Sequence, residues 1–188
     1  MNKRTAKART EKFLTREDDQ NLYIEGYFAV FNSKYELWED AFETIEPGAF
    51  DGETEKDIRA LANHDTAIVL GRTTAGTLEL KTDEHGLWGS ILINRNDQDA
   101  VNLYERVKRG DVSQCSFGFD IEEQDVEYQE GRPTVWRIKK VRLYEVSVVT
   151  FPAYEETSVS ARKNDFANIV KKRHEEWKKN IRKRLKGE

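Results

Sequence analysis

The chain has a single cysteine, Cys115. No internal disulfide can form, and no Cys or His stands at metal-ligand spacing around it, so neither a disulfide framework nor a zinc site is expected. A reducing compartment fits this usage. No apolar run approaches the roughly 20 residues needed to span a bilayer. The basic stretch Met1 to Lys12 is not followed by the apolar core of a signal peptide. These absences point to a soluble, unsecreted protein with no membrane partner, and nothing calls for a cofactor.

What is present is charge. Of 188 residues, 35% are charged and 37% hydrophobic, which suits one domain with a real core and polar segments outside it. The expected organisation is a flexible basic arm over residues 1–15, one domain over 16–161 and a basic helical tail over 162–188. The ends are basic and the middle acidic. From Arg162 to Lys186 the tail carries Lys163, Lys171, Lys172, Arg173, Lys178, Lys179, Arg182, Lys183 and Arg184 against few acids. Such asymmetry marks a segment that docks on an acidic partner or on nucleic acid.

Aromatic and β-branched residues from Leu22 to Phe31 predict a strand, and Ile58 to Asn63 predicts another running toward His64. Pro47 and Gly48 predict a tight turn that opens a short helix. Leu78–Thr82 and Leu87–Ile93 flank Asp83-Glu84-His85-Gly86, the turn chemistry of a hairpin. After Asn96, the residues Ala100, Leu103, Tyr104 and Val107 fall at helical spacing, with Gly110 placed to end the helix. Two long β-like stretches follow, Val112 to Tyr128 and Pro133 to Thr150, separated by a turn at Gln129 to Arg132. They read as paired antiparallel strands. Residues 163–187 show a narrow apolar stripe interrupted at Arg173, which suits a solvated terminal helix or a partner-binding one equally. Many strands with one interior helix give a β-rich, mixed α+β class, a barrel or sandwich decorated by helices.

Nucleophilic catalysis requires a hydroxyl or thiol, a base beside it and a group that orients the base. The chain has three histidines. His174 lies in the basic tail and His85 in a turn, leaving His64 as the best-placed base; a loop histidine paired with the adjacent Asp65 fits its position too. Around Ser116, strand alternation puts Cys115, Phe117, Phe119 and Ile121 on one apolar face. Gln114, Ser116, Gly118 and Asp120 take the other, where Gly118 is expected to leave open space beside the Ser116 hydroxyl. Cys115 and Ser113 fall on the core side and are demoted as nucleophiles. A strand with a small polar residue on its outer face satisfies the same pattern. Glu145 interrupts a mostly apolar strand and needs a partner, either a Lys or Arg or the imidazole of His64.

Five segments in order then resemble one family: Gly26-Tyr27-Phe28-Ala29-Val30-Phe31-Asn32, Pro47-Gly48-Ala49-Phe50, Asn63-His64-Asp65, Ser116-Phe117-Gly118-Phe119, and Glu145-Val146-Ser147-Val148-Val149-Thr150 followed by Pro152-Ala153. Together they resemble the prohead proteases of tailed bacteriophages, serine enzymes that mature procapsids. The resemblance covers about Tyr23 to Ala161. It implies a fold similar to the herpesvirus assemblins, a β-barrel surrounded by helices. It implies Ser116 as nucleophile, His64 as base and Glu145 as third member, with Asp65 the competing acid. It further implies a serine endopeptidase acting in the host cytoplasm inside the assembling procapsid. Its substrate would be a scaffolding protein or a scaffold-like extension of the major capsid protein, and itself, with homodimerisation by analogy to the assemblins. Competing classes are a non-catalytic capsid or scaffold component with the same barrel, a general hydrolase, which the absence of a Gly-x-Ser-x-Gly elbow disfavours, and a nucleic-acid-binding protein, for which no reading motif is found.

Overall fold

The computed structural model describes residues 4–7, 13–18, 20–151 and 156–186. Along the chain run β1 (Arg4–Lys7), β2 (Leu14–Glu17), β3 (Leu22–Val30), β4 (Tyr35–Trp38), β5 (Ala41–Ile45), β6 (Arg59–Ala62), β7 (Asp65–Arg72), β8 (Leu78–Thr82) and β9 (Gly86–Ile93). Then come helix α1 (Gln98–Arg109), the long strands β10 (Gln114–Glu127) and β11 (Thr134–Val149), and helix α2 (Glu156–Lys186). Two compact units divide the chain after Tyr154, the second consisting of α2.

The β-rich mixed α+β class holds. The described strands form two open sheets, so the barrel expected from the resemblance does not appear as a closed ladder. The larger sheet runs β1-β10-β11-β5-β4, with β6 and β7 branching from β11; the smaller runs β2-β3-β9-β8. One core lies between them: Ile24, Phe28, Leu87 and Ile91 from the smaller sheet meet Cys115, Phe117, Val146 and Val148 from the larger, all fully buried. Each large side chain so buried contributes roughly 1.5–3 kcal/mol of hydrophobic stabilisation. The Cys115 thiol sits 3.2 and 3.3 Å from the carbonyl oxygens of Tyr27 and Phe28, tying the sheets together.

Several expected elements stand close to where the sequence puts them. Helix α1 buries Ala100, Leu103, Tyr104 and Val107; Asp97 caps its start by accepting from the backbone N–H of Asp99 and Ala100, and Gly110 ends it at φ 89°. Strands β8 and β9 form the hairpin, its turn held by Asp83 accepting from His85 and Gly86 N–H. Strands β10 and β11 pair antiparallel. The segment after Pro47 departs from expectation, making successive turns rather than a helix. Its Phe50 packs edge-on against Phe117 at 5.5 Å, and its buried Glu53 accepts the backbone N–H of Leu143 at 2.8 Å. Helix α2 begins before the expected 163 and continues through Arg173 without a break.

The feature that positions the site is β11, whose neighbour on one side changes along its length. Thr134–Ile138 pairs parallel with β5, and Glu145–Val148 pairs parallel with β6. On its other side β10 runs antiparallel throughout. The three strands β10, β11 and β6 therefore lie side by side at the C-terminal end of β11.

Candidate active site

Cross-strand register brings the polar residues of β10 and β11 onto one face. Ser116 stands opposite Ser147, and Gly118 opposite Glu145. Between Gly118 and Phe119 the register slips: Gly118 faces Glu145 while Phe119 faces Leu143, so Tyr144 is an extra residue on β11. This bulge has a direct consequence. In a regular strand Leu143 and Glu145 would share a face, and the carboxylate would point into the core with Leu143. The extra residue inverts the alternation, leaving Leu143, Val146 and Val148 in the core and Glu145 and Ser147 on the opposite face.

His64 arrives from the other side of β11. Leu61 of β6 pairs with Ser147, and Ala62 with Val148. Ala62 and Asp65 then pair with each other, so Asn63 and His64 form the two-residue turn joining β6 to β7. Both adopt left-handed backbone, at φ 50° and 62°. Asn63 tolerates this well, but the second turn position ordinarily calls for glycine, and an imidazole there carries a conformational cost. The turn is pinned by Asn63 N–H donating to Val148 O at 2.9 Å and by Thr150 N–H donating to Asn63 Oδ1 at 2.9 Å. At the far end of the hairpin Arg59 and Arg72 stand opposite each other, and Asp57 accepts from both guanidinium groups, at 2.6 and 2.7 Å from Arg72 and 3.1 Å from Arg59. The Arg72 hydrogen bonds, aided by Thr74 and by the Arg59 charge, hold the Asp57 carboxyl well below the usual carboxylate range.

Strained turn and bulged strand meet in one hydrogen bond: His64 Nδ1 lies 2.8 Å from Glu145 Oε1. A carboxylate oxygen on Nδ1 is the arrangement in which that nitrogen donates and the other ring nitrogen, Nε2, is turned away from Glu145. That Nε2 is buried and, among the described residues, has no hydrogen-bond partner. The second carboxylate oxygen, Oε2, accepts the Ser147 hydroxyl at 2.6 Å. Glu145 is 5% exposed, and among the described residues no Lys or Arg pairs with it. Its charge is met by imidazole and hydroxyl, and the register-opposed Arg59 is turned to Asp57 instead.

Of the two acids the sequence left open, Glu145 makes the bond to His64. Asp65 is exposed, and its Oδ1 accepts the Ala67 N–H at 2.9 Å. Ser116 is fully buried, two strands from the end of β6 through its partner Ser147. Cys115 faces the core as alternation predicts, and burial pushes its thiol well above the ordinary range, leaving no reactive thiolate. The space expected beside Ser116 at Gly118 is not open. A Cβ on Gly118 would lie 2.4 Å from Glu145 Oε1, so the glycine makes room for the carboxylate. The other histidines lie elsewhere: His85 contacts the Tyr27 ring, and His174 stacks on Trp177 within α2.

A model of the caudovirus prohead serine proteases matches residues 9–172. The chain belongs to this family. Among characterised proteins it is similar to the prohead protease of Enterobacteria phage HK97, 30% identical over 160 residues, 82% of this chain and 66% of that one. The chain thus spans about two thirds of the length of that relative. No solved structure matches it. Within this prohead protease family member, the residue that sequence reasoning passed over is Ser147. It lies two positions after Glu145 on the same strand, so alternation alone puts the two on one face; the bulge at Tyr144 carries no comparable signal.

Proposed function

We propose that the chain is a serine endopeptidase in which Ser116 is the nucleophile, His64 the general base and Glu145 the group that orients it. The observation that carries this reading is the 2.8 Å bond from His64 Nδ1 to Glu145, which leaves the buried Nε2 with a lone pair and no partner among the described residues. In the proposed reaction Nε2 takes the Ser116 Oγ proton as that oxygen attacks a peptide carbonyl. The imidazolium then gives the proton to the leaving amine, and water enters by the same route to release the acyl group. Glu145 holds the tautomer and stabilises the imidazolium, while Ser147 fixes the rotamer of Glu145.

The substrate in this reading is a scaffolding protein or a scaffold-like extension of the major capsid protein, together with the chain itself, cut inside an assembling procapsid in the host cell. Family membership supports that setting. No helix among the described residues is long and apolar enough to cross a membrane. We extend the proposal to an assemblin-like arrangement of the two sheets, and to α2 as a basic docking element for the scaffold. Deleting the residues after Arg162 is expected to lower packaging into procapsids while sparing the first unit; unchanged packaging would remove that role.

Full burial of Ser116 favours a second reading, a non-catalytic assembly component of the same fold. Coexpression with the cognate capsid protein decides between them. Mass spectrometry of the products is expected to find cleavage with the unaltered chain and none with Ser116→Ala, whereas cleavage by both, or by neither, sets the nucleophile assignment aside.

A further inference from the structure

Strand β10 has two edges. One pairs with β11 and builds the candidate site; the other pairs with β1, the first described segment of the chain. The pairing is antiparallel, with Arg4 opposite Phe119, Thr5 opposite Gly118, Ala6 opposite Phe117 and Lys7 opposite Ser116. The N-terminal segment thus lies in extended conformation along the four residues that begin at the candidate nucleophile. Neighbouring strands run about 4.8 Å apart, so a backbone on this edge lies beside that of Ser116, with Lys7 in register opposite it. A sheet edge is a row of unsatisfied N–H and C=O groups, which accepts any extended peptide of matching direction and draws specificity from its side chains.

From this geometry we propose that the outer edge of β10, Ser116–Phe119, is a peptide-binding site that works by strand addition, and that β1 occupies it as an intramolecular competitor of substrate. The proposal rests on Ser116 being the nucleophile and adds the polarity of the bound substrate. A peptide seated as β1 is seated runs from Phe119 toward Ser116, so the residues preceding the scissile bond are the ones read along β10. The full burial of Ser116 belongs to the occupied state. β10 is anchored on its own account, contributing Cys115, Phe117 and Phe119 to the buried core. The occupant can therefore leave without dismantling the sheet beneath it.

The test is direct binding, with Ser116→Ala in every chain so that nothing is cut. The probe is a fluorescein-labelled synthetic peptide of residues 1–10, and its affinity is compared for the full-length chain and the full-length chain carrying Thr5→Pro and Ala6→Pro. Proline removes the N–H groups that β1 offers to a ladder and is excluded from a paired strand interior. The expected result is at least tenfold tighter binding to the proline variant. Equal affinity, or binding to neither, overturns the proposal. Should the proline variant melt early, hydrogen exchange on the chain without the prolines serves instead. A hundredfold excess of unlabelled peptide is expected to speed exchange at residues 4–7, and unchanged exchange overturns the proposal. None of these readouts needs catalysis. Failure of the nucleophile assignment would be seen separately, as persistent cleavage by Ser116→Ala or as no reaction of Ser116 with a serine-directed phosphonate.

Discussion

Gly118 and Glu145 face each other across β10 and β11, and the missing side chain of the one is the space that the carboxylate of the other fills. Glu145 Oε1 is held there by His64, and Oε2 by Ser147. The carboxylate therefore cannot yield to a methyl group without breaking one of those bonds. Gly118→Ala is expected to cost about 1–3 kcal/mol of stability by overpacking. It should also lower cleavage far more than stability alone explains. Thermal melting and a cleavage assay on the same sample check this; normal activity would mean that the Glu145 position is not critical.

Replacing Glu145 by Gln keeps its shape and removes its charge. If Glu145 orients the base and stabilises the imidazolium, kcat is expected to fall by about 10²–10⁴-fold. Asp65→Asn, on an exposed side chain that accepts the Ala67 N–H of the turn, should fall less than about threefold by the same reasoning. The opposite ranking would make Asp65 the orienting acid.

Ser147→Ala deletes a 2.6 Å hydroxyl donor to a buried carboxylate. Hydrogen bonds to charged groups are worth about 1.5–3 kcal/mol, and that loss is expected in the denaturant midpoint. The Glu145 side chain is then held from one side only. A drop in kcat of about tenfold with little change in KM is expected, as befits a positioning residue. Steady-state kinetics on a capsid-derived substrate would measure both.

The left-handed backbone of His64 predicts an unusual order of stabilities. His64→Ala and His64→Gly both lose the imidazole and both should be inactive. Glycine, however, adopts φ 62° without steric cost, so the Gly variant should be the more stable by about 1 kcal/mol. Elsewhere on a regular strand alanine would be the more stable. Equal midpoints, or alanine ahead, would remove the claim of strain at this turn.

Asp57 gives a pH signature. Its folded carboxyl titrates below the ordinary value of 3.8, first because of the Arg72 hydrogen bonds. The pair therefore stabilises the β6–β7 hairpin fully above that value, and the contribution fades as pH falls through the lower folded value. Following the Asp57 carboxyl carbon by NMR should give a midpoint below the usual range, and Arg72→Gln should return it upward. A midpoint that ignores the substitution would mean that Arg72 is not the cause.

Much of the fold was legible where a local rule applied. Helix α1 announces itself by spacing and by both caps, the β8–β9 hairpin by its Asp and Gly, and β10 by alternation that sorts Cys115 from Ser116. Strands β4 and β5 went unread because Tyr35–Ile45 alternates poorly and gains its order from parallel pairing with β11, a partner about ninety residues away by register. Strand β7 was hidden by its polar ends, since only Leu70 and Gly71 are buried. At the site, Ser116 and His64 stood out as residue types, but their relation to Glu145 depends on the bulge at Tyr144 and on a strained two-residue turn. Both are settled by tertiary packing rather than by local sequence. Alternation suggests open space at Gly118 beside Ser116, but the Glu145 carboxylate, brought round by the bulge, occupies it.

His64 and Glu145 are 81 residues apart, and the strand that unites them, β11, is the last of the described strands in chain order. Parallel pairing of β6 with β11 closes a long loop and is the slow kind of contact to form. In a nascent chain His64 precedes Glu145 by 81 residues, and Ser116 also comes before it, so serine and histidine are both made before the carboxylate proposed to orient them. On the proposed triad, cleavage would wait until β11 has paired with β6, so the order of folding would itself hold the activity back until the sheet is complete.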